Sequence, residues 1–358
     1  MTDQVITDPQ QVSAAWLTEV LGRSGALRAG RVRDVTREAA NSINAQIVNI
    51  KPHYDDQAAG ALPQALLLKI CAGGDSFGPS EVHYYTRDYT GLAGAPIPRC
   101  YDAQFSAERQ AYHILMDDLS ATHHATWDAT PTLAYGCAVA EALAALHAHW
   151  WEPERLSMIG AAIPGEHEIG AYIGHIRPGL EPLIETLEDT PDPAWRHALV
   201  EIFVRHPAKM LERTHDGTGF TLIHGDVNPG NVLAPISGAG PVYLIDRQPF
   251  DWSLTTWLGV SDIAYMIIHR WGNELRQELE LPILRHYHAA LEQRGVAGYA
   301  WEQLLRDYRL AAVQSVYVAT EWCVAEEERT KMRWLWEPQL HKAMTAFFDL
   351  GCAELWDG

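Results

Sequence analysis

The sequence contains few cysteines and no cysteine pattern typical of a disulfide framework or a metal site. Its five cysteines, Cys71, Cys100, Cys137, Cys323 and Cys352, are odd in number and widely scattered along the 358 residues. Disulfide scaffolds and zinc sites need recurrent or paired spacings, which are absent here. Reduced thiols are typical of the cytosol, so we expect a cytoplasmic protein.

Long apolar runs are also absent. No segment approaches the roughly 18 consecutive apolar residues that a membrane-spanning helix requires. Hydrophobic residues nevertheless make up 47% of the chain, which is enough for a sizeable core. The polar, acidic residues at positions 1–4 do not begin a signal peptide. We therefore expect no membrane among the partners.

Basic residues are scarce, with 27 Lys and Arg against 46 Asp and Glu and a formal net charge of −19. Residues 1–118 account for −4 of this charge and the remainder of the chain for −15. Nucleic-acid binding requires clustered Lys and Arg to neutralise phosphates, so nucleic acid is disfavoured as a partner. The acidity mildly favours a cationic small substrate through long-range attraction, although ordinary solubility is the simpler explanation.

One segment carries most of the chemical information. It is His224-Gly225-Asp226-Val227-Asn228-Pro229-Gly230-Asn231, followed by an apolar run that ends at Asp246. Asp226 and Asn231 are five residues apart on a predicted tight loop, and the apolar run is typical of a strand. This pattern puts one carboxylate near an acceptor hydroxyl and leaves an amide oxygen and a second carboxylate for magnesium. Because phosphoryl transfer depends mainly on positioning and charge neutralisation, the segment predicts a phosphoryl-transfer centre.

These motifs resemble the catalytic and metal loops of protein-kinase-like enzymes. Gly225, where protein kinases carry Arg, is similar to the aminoglycoside phosphotransferase and choline kinase branch. The triplet Asp246-Arg247-Gln248 is similar to the ecdysteroid-kinase-like, or CHK-like, subgroup of that branch. The resemblance covers most of the chain, but only residues 222–262 are strongly specific.

The order of predicted elements indicates an α+β, two-lobed fold, and the resemblance implies the same architecture. Residues 1–118 should form a nucleotide-binding lobe with a small antiparallel sheet, and residues 119–358 a helical lobe with the catalytic loop, metal site and acceptor pocket. Asp8-Pro9 should open the first helix, and Ser80 should cap a helix that begins at Glu81. The predicted strands are 31–36, 43–50, 65–70, 100–105 and 110–116. The predicted later helices are 166–187, 192–214, 260–272, 282–294, 301–325 and 337–350.

The resemblance implies how ATP is bound. Lys69 ends a predicted strand, where a buried ammonium needs a partner, and Glu81 on the next helix is the natural one. In kinases such a pair positions the α- and β-phosphates. The turn at residues 39–44 lacks the Gly-x-Gly-x-x-Gly pattern and offers Asn41, Ser42 and Asn44 instead; an ordinary hairpin turn remains the alternative. Asp117 and Leu119 should lie in the hinge whose backbone binds adenine.

The resemblance also assigns the chemistry. Asp226 should orient the acceptor hydroxyl and accept its proton late in the transfer, while Asn231 and Asp246 should hold Mg²⁺. His224 is expected to be structural. Asp262 should either brace the catalytic loop through its backbone amides or cap its helix, and both roles are compatible.

The acceptor is the least determined part. Thirteen tryptophans and the acidic charge suit a cationic ligand, and we assign Asp251, Trp252, His269 and Glu321 to an acceptor pocket. Candidate acceptors are an aminoglycoside, an amino alcohol such as choline, a sugar or a steroid-like alcohol. The main alternative is an inactive, nucleotide-binding pseudokinase that acts as an interaction module. The sequence does not indicate the oligomeric state.

Overall fold

The computed structural model describes residues 5–41, 45–72, 77–187 and 193–357. Its elements confirm the predicted antiparallel-sheet N-terminal region and helical C-terminal region. The strands are β1 (Leu27–Ala29), β2 (Val32–Asn41), β3 (Gln46–Tyr54), β4 (Ala59–Gly60), β5 (Leu66–Ala72), β6 (Cys100–Ser106), β7 (Ala111–Asp117), β8 (His123–Ala125), β9 (Phe220–Leu222), β10 (Val232–Pro235), β11 (Tyr243–Leu244) and β12 (Thr256–Leu258). The α-helices are α1 (Ala14–Arg23), α2 (Ser80–His83), α3 (Leu133–His149), α4 (Pro153–Ser157), α5 (Glu166–Ile176), α6 (Leu180–Thr186), α7 (Pro193–Arg213), α8 (Val260–Arg270), α9 (Asn273–Gln293), α10 (Trp301–Glu321), α11 (Glu326–Lys331) and α12 (Arg333–Asp349).

The chain forms two compact units. The first comprises Met1–His124 and Leu233–Asp251, and the second comprises Ala125–Val232 and Trp252–Gly358. The segment that carries Asp246 therefore belongs to the first unit, whereas the segment with Asp226 and Asn231 belongs to the second.

The first unit is built on a five-stranded antiparallel sheet with the order β2-β3-β5-β7-β6. Leu66, Leu68 and Ile70 of β5 are buried in one core with residues of α1. Because successive side chains of a strand point to opposite faces, Lys69 projects from the other face of the sheet. The strand alternation thus separates the apolar core from the predicted phosphate-binding lysine.

Two predictions at helix starts in the first unit were wrong. Asp8 caps only a 3₁₀ turn at Pro9–Gln11, and α1 begins at Ala14, where Ser13 accepts a hydrogen bond from the Trp16 amide at 3.1 Å. Ser80 is the first residue of α2 and makes no capping bond. No pattern in the sequence predicted the π-helical turn Tyr84–Asp88 that follows α2.

The second unit is mainly helical, with α3 packed on α9 and α10 packed on α8 and α12. The predicted helix 166–187 is interrupted by a 3₁₀ turn at Arg177–Gly179, where Pro178 cannot donate a backbone hydrogen bond. Conversely, α9 begins at Asn273 and contains Pro282, the residue at which the sequence predicted its start. Proline is tolerated inside this helix as well as at a helix start, and the sequence alone did not distinguish these positions.

The antiparallel pair of β9 and β12 organises the segments that carry the predicted catalytic loop and Asp262. Thr221 pairs with Trp257, and the amide of Ile223 donates to the carbonyl of Thr255 at 3.0 Å. The motif loop follows β9 directly and α8 follows β12, so the strand pair brings the start of the loop beside the start of α8. Within the described part of the chain, no helix is both long and apolar enough to cross a membrane.

Candidate active site

The loop from His224 to Asn231 folds back on itself, so that its two ends meet. The side-chain amide of Asn231 donates to the carboxylate Oδ2 of Asp226 at 3.0 Å and to the Asp226 carbonyl at 2.9 Å. Asn228 stabilises the turn, because its side-chain oxygen accepts from the Gly230 amide at 2.8 Å. The structure therefore brings together Asp226 and Asn231, the residues predicted to orient the acceptor and bind metal.

The carboxylate of Asp226 accepts hydrogen bonds from three side chains. Asn228 Nδ2 and Tyr265 Oη donate to Oδ1 at 2.9 and 2.7 Å, and Asn231 Nδ2 donates to Oδ2. Tyr265 is half-buried, and desolvation of its hydroxyl together with the charge of Asp226 raises its pKa well above the ordinary value, so it remains a donor. The orientation of the Asp226 carboxylate is thus fixed by neighbouring donors.

Asp262, at the start of α8, holds the beginning of the loop. Its Oδ2 accepts from the His224 amide at 2.7 Å and its Oδ1 from the Gly225 amide at 2.8 Å. Burial opposes its charge, but His147 and His224 and the Gly225 amide outweigh burial and lower the pKa of Asp262 below its usual range. Asp262 is therefore an ionised brace for the loop, and the structure gives it no side-chain capping bond.

The two histidines beside Asp262 have structural partners. His147 Nε2 lies 3.1 Å from Asp262 Oδ2, and its Nδ1 lies 2.7 Å from Tyr287 Oη. His224 Nδ1 accepts from the Asp226 amide at 3.3 Å. Both side chains are buried in the second unit.

Lys69 and Glu81 form a buried ion pair in the first unit. Lys69 Nζ lies 2.9 and 2.8 Å from the two oxygens of Glu81, and Tyr112 donates to the same carboxylate. Burial opposes the charge of Lys69, but Asp246 and Glu81 outweigh it and raise the pKa of Lys69. Burial raises the pKa of Glu81 to about 7, although Lys69 and Tyr112 act in the opposite direction.

Asp246 lies beside this pair in an uncommon backbone conformation. Its Oδ1 is 3.1 Å from Lys69 Nζ, and its φ angle is +59°. A non-glycine residue with positive φ is unusual, and such strain is often found at functional sites. The neighbouring Arg247 is buried and pairs with the buried Asp88 of the π-helical turn at 2.5 Å. Asp246 is thus bordered by two ion pairs that join it to the helical segment carrying Glu81.

The structure describes only part of the predicted phosphate-covering turn at residues 39–44. Asn41 is the last residue of β2 and its backbone is paired with Gln46 of β3, whereas Ser42 and Asn44 lie outside the described residues. Of the predicted turn at 39–44, residues 39–41 thus belong to the strand.

The predicted hinge residues already make bonds within the first unit. The Asp117 amide donates to the Arg99 carbonyl at 3.0 Å, and its side chain accepts from Tyr101 Oη at 2.7 Å. The Leu119 carbonyl accepts from the amides of Thr122 and His123 at 2.9 and 2.8 Å. An adenine bound at this segment must therefore use other backbone groups.

Two of the four predicted acceptor residues are linked. Trp252 stacks on His175 with ring centroids 4.1 Å apart, and His175 lies 3.7 Å from Glu321. Asp251 belongs to the first unit and is exposed. His269 is buried on α8; burial, together with the charges of Arg270 and Lys342, lowers the pKa of His269 to about 3. Its ring lies in the interior beside Tyr265, with centroids 4.8 Å apart, and its place in an acceptor pocket stays a prediction.

Sequence reasoning missed three residues that contact the predicted site residues, namely Asn228, Tyr265 and Tyr112, and it did not predict that His147, expected to be structural, contacts Asp262. Asn228 lies inside the motif, and Tyr265 lies three residues after Asp262, on the same side of α8. These two spacings could have identified Asn228 and Tyr265 from the sequence. Tyr112 and His147 reach their partners through sheet register and helix packing, which the motif does not encode.

The oxygen donors of the predicted metal-binding residues suit magnesium, which is seldom bound by protein ligands alone. Asp246 offers carboxylate oxygens and Asn231 an amide oxygen, both hard ligands. Among the residues described, no group of three or more His, Cys, Asp or Glu side chains has the arrangement of a metal cluster. Magnesium commonly uses one or two carboxylates and completes its shell with phosphate oxygens and water, so the donor types of Asp246 and Asn231, each taken in its own unit, suit that ion.

The described geometry can be compared with known proteins. Residues 82–296, more than half of the chain, match the model of the ecdysteroid kinase-like family. The chain belongs to the ecdysteroid kinase-like family. No curated protein matches it significantly in sequence.

Solved structures support the fold. The chain is similar to choline kinase from Cryptosporidium parvum Iowa II, with 13% identity, coverage of 89% of this chain and 91% of that chain, and a TM-score of 0.53. It is also similar to an aminoglycoside 2′-phosphotransferase-IIIa solved with GDP, with 12% identity, coverage of 94% and 99%, and a TM-score of 0.52. At these identities the likeness establishes a fold shared with protein-kinase-like small-molecule kinases.

Proposed function

We propose that the protein transfers the γ-phosphate of ATP to a hydroxyl group of a small molecule. The observation that carries this proposal is the arrangement of Asp226 in the second unit. Its carboxylate is held by three donors, and the loop that contains it is braced by Asp262 through two backbone amides. Phosphoryl transfer requires such a fixed carboxylate to orient the attacking hydroxyl.

The nucleotide roles follow from the first unit. Lys69 supplies a buried positive charge for the phosphates, and Glu81 holds it in place. Asp246 and Asn231 are the proposed Mg²⁺ ligands, and the ion would neutralise charge on the phosphates when bound. Lys69 also contacts Asp246, which partly compensates the charge of that carboxylate.

The reaction needs little proton chemistry from the protein. Asp226 binds the acceptor hydroxyl and takes its proton as the new O–P bond forms and the bond to ADP breaks. An ordinary carboxylate is adequate for this step, because the hydroxyl becomes acidic only late in the transfer. We place this reaction in the cytoplasm, as the thiol usage predicts.

For the acceptor we propose only a broad chemical class. The family model and the choline and aminoglycoside kinases with this fold support a small-molecule alcohol. The stacked Trp252 and His175 beside Glu321 are compatible with a cationic group on that alcohol. A steroid-like alcohol or a sugar remains among the candidates.

The experiment is a phosphate-transfer screen. Purified protein is incubated with MgATP and separate panels of amino alcohols, aminoglycosides, sugars and steroid alcohols, and ADP formation and phosphorylated product are measured. We expect one panel to give product and release ADP in equal amounts. Tight nucleotide binding with no product in any panel would favour the pseudokinase alternative.

A further inference from the structure

The half-buried Tyr265 contacts the proposed catalytic carboxylate but has no role in the assignment above. Its hydroxyl donates to Asp226 Oδ1 at 2.7 Å, and its ring packs on His269 with centroids 4.8 Å apart. The ring of Tyr265 is therefore packed in the second unit while its hydroxyl proton is directed at Asp226.

The hydrogen bonds at Asp226 distinguish its two oxygens. A carboxylate offers about four lone-pair positions, two on each oxygen. Oδ1 accepts from Asn228 and Tyr265, which uses both of its positions, whereas Oδ2 accepts from Asn231 alone among the described side chains. An incoming hydroxyl group thus has an acceptor position on Oδ2 and none on Oδ1.

We propose that Tyr265 is a positioning residue that occupies Oδ1 of Asp226 and so directs the acceptor hydroxyl to Oδ2. This inference rests on the proposed function and deepens it. The hydroxyl then binds on the side of Asp226 that faces Asn231, the proposed metal ligand. Without Tyr265, the hydroxyl can bind to either oxygen, and only one of these positions is productive.

The placement of Tyr265 on α8 explains how this role is built into the fold. Asp262 and Tyr265 are three residues apart, so they lie on the same side of the helix. The first holds the backbone at the start of the loop, and the second holds the side chain two residues later in that loop. A single helix therefore fixes both the position of the loop and the rotation of its carboxylate.

The test compares Tyr265→Phe with a matched variant, Tyr308→Phe. Both residues are tyrosines of the second unit that donate to a carboxylate; Tyr308 is buried and donates to Glu280 at 2.9 Å, whereas Tyr265 is half-buried. We expect Tyr265→Phe to lower kcat about tenfold, since small misplacement of a reacting group is costly, while KM for ATP stays constant. Tyr308→Phe should leave both values within about twofold of the wild type even where its melting temperature falls.

A double-variant comparison separates positioning from general damage. In the Asp226→Asn background, single-turnover transfer from radiolabelled ATP is measured with and without Tyr265→Phe, using water or the best acceptor from the screen. The effect of Tyr265→Phe should shrink to less than about twofold, because the oriented carboxylate is no longer present. An unchanged kcat in Tyr265→Phe, or an equal loss in both backgrounds, overturns the proposal.

A crystal structure of the Tyr265→Phe variant tests the positioning role of Tyr265 independently of whether the protein transfers phosphate. The crystal structure of Tyr265→Phe should show the Asp226 carboxylate rotated relative to the crystal structure of the wild type, with Asn228 and Asn231 in place. An unrotated carboxylate overturns the positioning role even if the wild type is an active kinase. Conversely, a rotated carboxylate in a protein that transfers no phosphate supports positioning and removes the proposed function.

Discussion

Lys69 Nζ lies 3.1 Å from Asp246 Oδ1 while it also forms the buried ion pair with Glu81. One ammonium thus joins the central strand of the sheet, the helix after it and the proposed metal-binding carboxylate. Since the side chains of Lys69 and Glu81 are 9% and 0% exposed, neither charge is well compensated by water. We expect the pair to contribute to stability and, under the proposed function, to nucleotide binding, and substitutions can separate these contributions.

Replacing Lys69 with Ala should both destabilise the protein and weaken ATP binding. The remaining buried Glu81 carboxylate would cost about 3–5 kcal/mol in the free energy of unfolding, as for other broken buried pairs. The double variant Lys69→Met with Glu81→Gln removes both charges and should recover much of the stability but none of the ATP affinity. Urea unfolding and calorimetric titration with MgATP measure the two effects. Recovery of ATP affinity in the double variant would remove the nucleotide role of Lys69.

The Arg247–Asp88 pair should behave as a second buried structural pair. Asp88→Ala leaves the Arg247 guanidinium without this carboxylate and should cost about 3–5 kcal/mol of stability. The combined Asp88→Leu and Arg247→Met variant should be considerably more stable than Asp88→Ala. An exposed pair, Arg333 with Glu337, serves as the control, since loss of one partner there should cost no more than about 1 kcal/mol. Equal losses at the two pairs in urea unfolding would contradict the structural role assigned to Arg247.

Stability should depend on the ionisation of Glu321. Burial, reinforced by the charge of Glu328, raises the pKa of Glu321 from 4.5 to about 7. The folded state then binds the proton more tightly than the unfolded state, so this contribution to stability is present below pH 4.5 and is lost as the pH rises through 7. Glu321→Gln should therefore gain stability relative to the wild type between pH 5 and pH 8, by on the order of 2 kcal/mol.

The control for this pH dependence is Glu337→Gln. The hydrogen bonds and charge of Arg333 lower the pKa of Glu337, so it is ionised across the same pH interval. Its difference from the wild type should stay constant between pH 5 and pH 8. A constant difference for Glu321→Gln as well would show that Glu321 is already ionised at pH 5.

The sequence predicted the fold to the extent that local patterns determine it. Alternation identified β3, and short apolar runs bounded by turn residues identified β5, β6 and β7. Element starts were less predictable where proline occurs, since Pro282 lies inside α9 and Pro178 interrupts a predicted helix. The π-helical turn before Tyr89 depends on tertiary contacts of Tyr84 and Asp88, which no local pattern encodes.

The candidate site was predictable where its residues are close in sequence. Asp226 and Asn231 lie on one short loop, so their spacing fixes their contact. The partnership of Lys69 and Glu81 followed from the need to compensate a buried charge. The contact between Tyr265 and Asp226 spans 39 residues and depends on how α8 packs, and the interior position of His269 depends on the same packing.

The central claim is that Asp226 acts on the transferring phosphoryl group and its acceptor, whereas nucleotide binding depends on other residues. The most direct measurement compares the wild type and Asp226→Ala in kcat for ATP-dependent transfer and in Kd for MgADP. We expect kcat to fall about 10²–10⁴-fold, while Kd changes by less than about threefold. Equal kcat values for the two proteins, or a loss of MgADP affinity that accounts for the whole loss of turnover, would contradict the account.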